Sequence, residues 1–187
     1  MSNKLNIKAM KKIIFLSVIV FCNLFGYSQQ MVFNDAVGIQ LPDNAQKITT
    51  VQALEHINKK FNTDKLAISH TKDDYTPYRY KVNDVLIALY LFDATYKVNS
   101  NYIVNAKKGL DEMNYSNKTY VSTIKKGNHY STVITNFKAG NIEYYHFYCV
   151  NDNNTHQING RLEFNISDKD EATTILNNLL ASIKFKD

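Results

Sequence analysis

The 187-residue chain is 44% hydrophobic and 12% aromatic, enough for one packed core, and of its two cysteines only Cys149 lies beyond the first 28 residues, so that part has no second cysteine with which to staple itself. Its formal charge of +5 is not a nucleic-acid signature, because four of the 22 Lys and Arg and none of the 17 acidic residues lie in the first 28 positions. The remainder carries 18 basic against 17 acidic residues, a net of +1.

Lys4, Lys8, Lys11 and Lys12 precede the uncharged run Ile13–Phe21, the order of a secretory signal. Gly26 and Ser28 supply small residues three and one before a cut ahead of Gln29. Residues 1–28 therefore read as a signal peptide and 29–187 as one exported domain. A retained anchor is disfavoured because Ser17 and Asn23 interrupt an apolar run already short for a bilayer. Phe21 before Cys22 argues against lipidation, which needs a small residue there. The expected location is the periplasm or outside the cell, with no membrane span after cleavage.

Val37–Pro42 alternates and stops at a proline, which predicts a short edge strand. Val51, Leu54, Ile57, Asn58 and Phe61 recur at helical spacing behind a Thr49/Gln52 capping box, predicting a helix over 50–61. Asp73–Tyr78 is a turn-rich loop around Pro77. Val85–Phe92, apolar throughout, reads as a strand covered on both faces. Ile103, Ala106, Leu110 and Met113 outline a helix over 101–113 that Gly109 weakens.

Four β-rich runs follow, 120–125, 129–138, 142–150 and 157–166, separated by Gly127-Asn128, Gly140-Asn141 and Asn151–Asn154. They predict an antiparallel meander. In its third strand both faces are apolar or aromatic, and in its fourth Ile158, Leu162, Phe164 and Ile166 alternate with a polar set expected to be wet or lightly covered. Ala172, Ile175, Leu176, Leu179, Leu180 and Ile183 then make a continuous helical stripe, started by Asp168 and Glu171, that must dock on the sheet. Burying its four large aliphatics would contribute on the order of 6–12 kcal/mol before entropy is counted. The fold class expected is α+β, a central antiparallel meander sandwiched by helices with the C-terminal helix packed on the sheet.

A short strand ending in Leu41-Pro42, the meander, and the terminal run GRLEFNISDKDEATTILNNLLASIKF from Gly160 to Phe185 resemble the PsbP-like and DcrB-like families of α/β/α sandwich proteins. The resemblance implies a fold used by non-catalytic accessory, assembly and binding proteins, many of them exported. These families share no catalytic motif, so no residue role is carried over. This chain departs from them in having no tryptophan.

The residues themselves offer little catalytic chemistry. His56, His70, His129, His146 and His156 show no metal-binding spacing, although His146 and His156 could approach across the last hairpin. Cys149 sits in an apolar strand, where a free thiol acts as a small hydrophobe rather than a nucleophile. No GxSxG or glycine-rich phosphate loop occurs, and Asp73-Asp74 and Asp111-Glu112 are neighbouring acids that point apart. Asp152 lacks the pattern of a calcium loop. Lys107-Lys108 and Lys125-Lys126 read as solvated surface. The candidate recognition surface is the tyrosine group Tyr75, Tyr78, Tyr80, Tyr90 and Tyr96, which could stack on a sugar or anchor a protein, or fill the core. The expectation is a non-enzymatic accessory domain, without cofactor or nucleic acid, acting through a protein partner. The alternatives are a small-ligand or glycan binder using the tyrosines, and a hydrolase without a recognisable motif.

Overall fold

The computed structural model describes residues 30–61, 78–95, 97–114 and 120–186. Residues 1–28, expected to be a signal peptide, residues 73–77 of the proline loop, His70, Tyr75 and Tyr96 lie outside these ranges.

The expected meander is present as β6 (Tyr120–Lys126), β7 (Tyr130–Ala139), β8 (Ile142–Asn151) and β9 (Gln157–Asn165). Its turns use left-handed backbone where the sequence supplies suitable residues, at His129 (φ 65°), Gly140 (φ 63°) and Asn154 (φ 53°). β9 pairs in turn with β5 (Val85–Leu91), and β5 with β4 (Tyr78–Val82) through a hairpin at Asn83 (φ 49°). With the two-residue β3 (Gln46–Lys47) at one edge, the sheet has seven strands in the order β3-β4-β5-β9-β8-β7-β6, antiparallel throughout.

Helix α1 (Thr50–Phe61) starts at the expected capping box: Gln52 N donates to Thr49 Oγ1 at 3.2 Å and Thr49 N donates to Gln52 Oε1 at 2.8 Å. Its buried face differs from the expected stripe. Ala53 and Ile57 are buried against Leu86, Ile142 and Tyr144, whereas Val51 is 61% exposed. A small residue at the contact lets the helix axis approach the sheet, and that choice of face depends on where the sheet lies rather than on helical period. Helix α2 (Tyr102–Asn114) docks through Ile103 on Val133 and Val150, and Asp111 ties it to β6 by accepting from Ser122. Both helices cover the same side of the sheet, because Leu86, Ile142, Tyr144, Val133 and Val150 all share one face by register.

The other side is covered by α3 (Lys169–Ser182), and all six residues of its expected stripe are buried. The core beneath contains Ile87, Leu89, Phe147, Cys149, Leu162 and Phe164. Gly160 is required there, since a Cβ would fall inside the Phe147 ring opposite it in the register. The start of α3 differs from expectation. Asp168 makes no side-chain cap, and Asn165 Oδ1 instead accepts from Ser167 N at 3.2 Å, ahead of a single 3₁₀ turn at Ile166–Asp168. Ile166, read as a buried strand residue, belongs to that turn and is 49% exposed. Glu171 lies in the first turn, as expected, and accepts from Asn83 Nδ2.

Two further expectations are corrected. The strand at Val37–Gln40, β2, is not an edge: it lies between β1 (Met31–Phe33) and β10 (Lys184–Phe185) in a separate three-stranded antiparallel sheet. The polar face of β9 is covered at both ends, with Gln157 and Glu163 buried, the first donating from Nε2 to Tyr102 OH of α2 at 2.6 Å.

Cys149 is fully buried, and burial pushes its thiol up to about 12, with a Thr132 contact offsetting only part of the rise. Cys149→Ala should cost about 1–2 kcal/mol, the scale of a small cavity. Native protein should resist a thiol reagent at neutral pH and react at once when denatured; rapid native labelling would contradict this burial.

Candidate functional site

At one end of the seven-stranded sheet the β6–β7 hairpin, the β8–β9 turn and the C-terminal end of α3 enclose an open cleft of about 970 Å³. Its shape follows from Tyr130. The ring packs over Gly127, where any Cβ would collide with it, and lies 6.4 Å from the Phe185 ring. The phenol donates to Leu180 O at 2.6 Å. Burial, with the neighbouring Cys149, raises the Tyr130 pKa and keeps it a donor. This one side chain therefore pins the hairpin to the helix end and forms part of the cleft floor with Leu180, Ile183 and Phe185.

The opposite wall is polar and ordered by Asn151. Its Oδ1 accepts from Thr155 N at 2.8 Å and His156 N at 3.0 Å, and its Nδ2 donates to Thr155 Oγ1 at 2.8 Å. The turn carries Asp152, whose N donates to His129 O at 3.1 Å. Lys125, Lys126 and Lys184 stand exposed at the rim against the single carboxylate of Asp152, which lies 3.9 Å from His129 Nδ1. An apolar floor under a lysine rim can bury a side chain of an incoming segment while pairing with its carboxylates. It holds no cluster of three or more His, Cys, Asp or Glu side chains, and none occurs among the described residues.

No family model matches the chain, and no curated protein matches it. Among solved structures it is similar to the solution structure of cyanobacterial PsbP (CyanoP) from Synechocystis sp. PCC 6803, with a TM-score of 0.49 and 9% identity over 86% of this chain and 94% of that one.

The tyrosines singled out from the sequence are divided by the fold. Tyr78 and Tyr80 project from β4 to the α3 side, Tyr78 at 40% exposure and Tyr80 buried; burial, with Tyr78 beside it, raises the Tyr80 pKa. Tyr90 projects from β5 to the other side and is half-buried. His146 and His156 are both half-buried, and His146 points to the side that carries α1 and α2. Burial, helped by Arg161, pulls its pKa down to about 4, so the imidazole is neutral at neutral pH.

The cleft itself was not signalled by the sequence. In sequence Lys125-Lys126 reads as ordinary solvated surface, and Lys184 lies far away in the chain. The signal present was the pair's position against a Gly-Asn turn followed by a tyrosine, and it gains meaning only once Tyr130 is seen to reach α3.

Proposed function

We propose that this chain is an exported, non-enzymatic accessory domain that acts by binding a protein partner, and that the partner presents an acidic segment to the cleft between the β6–β7 hairpin and α3. The observation that carries this reading is the pairing of an apolar floor at Tyr130, Leu180 and Phe185 with a rim of Lys125, Lys126 and Lys184. Export is supported by the leader pattern of residues 1–28, and residues 29–187 form the exported domain in this proposal. Among the described residues no helix is long and apolar enough to cross a membrane.

The test is capture from the envelope fraction with the protein immobilised through a tag in the exposed Gly140-Asn141 turn, at the other end of β7 from the cleft. A specific partner should be retained at low salt, released by about 0.5 M salt as exposed charges are screened, and reduced at least about tenfold by the triple change Lys125→Glu, Lys126→Glu and Lys184→Glu. Thermal melts of the variant should match the parent, because none of the three lysines is buried. Equal capture by parent and variant would overturn the assignment of this cleft.

A further inference from the structure

The two edges of the seven-stranded sheet are finished differently. One ends in β3, two exposed residues that are too short to template another strand. The other ends in β6, which pairs with β7 in unbroken register over seven residues, without proline or bulge, and keeps its charges, Lys125 and Lys126, at the hairpin end. No strand among the described residues lies on its outer side. Gly127 N donates to Tyr130 O at 2.9 Å, which sets the phase of the ladder: Val121, Thr123 and Lys125 bond to β7, and the N–H and C=O of Ser122, Ile124 and Lys126 point to the open edge.

Apolar side chains flank that edge on both faces. Val121, on the α3 side, is 62% exposed; on the other side Ile124 is 43% exposed and Val104 of α2 62%. Ile124 and Val104 line an open groove of about 380 Å³ together with Lys107, Lys108, Asp111 and Glu112. An extended edge with exposed apolar residues on both faces is where another strand adds.

The charges of the groove identify the occupant. Lys107 and Lys108 stand one turn before Asp111 and Glu112, so the groove is neutral overall but positive at one end and negative at the other. A partner of one sign would be repelled by half of it, whereas an inverted copy meets each sign with its opposite. Lys108 and Glu112, 3.9 Å apart and largely exposed, can exchange partners in this way. The midpoint of the pattern is marked by Ser122, whose Oγ accepts from Lys107 Nζ at 3.3 Å and donates to Asp111. A two-fold axis beside Ser122, through Thr123, therefore inverts the strand and the charge pattern together. In that register Ser122 and Ile124 of the two copies exchange backbone bonds, and Lys125 falls opposite Val121 rather than another lysine.

We propose that the outer edge of β6 is a self-association site, where a second copy of this chain pairs antiparallel about a two-fold axis at Thr123 and the two α2 helices lie side by side. The sheet then runs continuously through both copies and closes as a dimer, because only the blunted β3 remains at each end. The contact runs along β6 and the cleft opens at its hairpin end, so neither reading depends on the other.

The protein as recovered from cells is followed by sedimentation velocity between about 1 and 300 μM, and its mass should double across this range. Thr123 is exposed, so Thr123→Lys and Thr123→Glu should each melt like the parent at the dilute end. Each should also raise the dissociation constant at least about tenfold, because each sets a charge against its own copy across the axis. Mixed in equal amounts at low salt, the two variants should regain the dimer, since lysine then faces glutamate. A parent that stays monomeric, an assembly larger than a dimer, a dimer unaffected by Thr123→Lys, or a mixture no more associated than its components would each overturn the proposal.

Discussion

Leu179→Ala is expected to destabilise the protein by about 2–5 kcal/mol, and Leu176→Ala by a similar amount. Leu179 is fully buried and Leu176 nearly so, both between α3 and the sheet core of Phe147, Leu162 and Phe164. Truncating either removes apolar area and leaves a cavity that the β9 and β8 side chains, already close-packed at Gly160, can only partly refill. A domain of this size has about 5–15 kcal/mol in total, so the double variant should be largely unfolded. For each single variant the midpoint of a thermal melt should fall on the order of 10 °C. Asn177→Ala, on the exposed face of the same helix, should melt like the parent. Lys186 is unsuitable as a second control, since its Nζ donates to Asn34 O and lies 5.6 Å from the Phe33 ring centroid. An unchanged melt for Leu179→Ala would mean that α3 does not carry the sheet.

Acid should weaken the fold through His146. The folded-state pKa is about 4, because burial, and secondarily Arg161, opposes the imidazolium, whereas an unfolded histidine titrates near about 6.5. Between these values the unfolded chain takes up a proton that the native state refuses, so unfolding becomes easier as pH drops. The contribution is complete above about pH 6.5, declines as pH falls, and is gone below about pH 4. Its full size is on the order of 3 kcal/mol. His146→Phe keeps a ring against Phe137, which the imidazole meets edge-on at 5.0 Å, and removes the titration. Urea unfolding at pH 7 and at pH 4.5 should therefore show a smaller loss for His146→Phe than for the parent. Asp111, held below the usual carboxylate range first by its Lys107 hydrogen bond and then by Ser122, changes charge below this window. Identical losses in parent and variant would show that His146 is not the group responsible.

How far the sequence could be read depended on whether a feature is local. The α3 stripe and the meander were legible because helical spacing and Gly-Asn turns are written in consecutive residues. The capping box at Thr49 and Gln52 was legible for the same reason, yet the face of α1 was not: Val51 and Ala53 both fit a helix, and only the position of Leu86 and Tyr144 chooses between them. The proline after β2 marks it as an edge, and its two neighbours, a three-residue and a two-residue strand, are too short for any alternation to reveal them. The short β4 was hidden for a similar reason, behind the turn signals around Pro77. Lys125, Lys126 and Lys184 meet in a cleft only through Tyr130. Such a cleft depends on how the hairpin docks on the helix end, which composition and periodicity do not encode.

The three-stranded sheet ties the two ends of the described chain together. Gly38 and Val37 pair with Lys184 and Phe185, and Ala36 O accepts from Lys186 N at 2.9 Å. β2 gains its second neighbour only when residues from both ends of the described chain have met, and a topology dominated by such distant pairings folds slowly. The inner place of Val37 and Ile39 is therefore among the last features of the fold that the chain can complete.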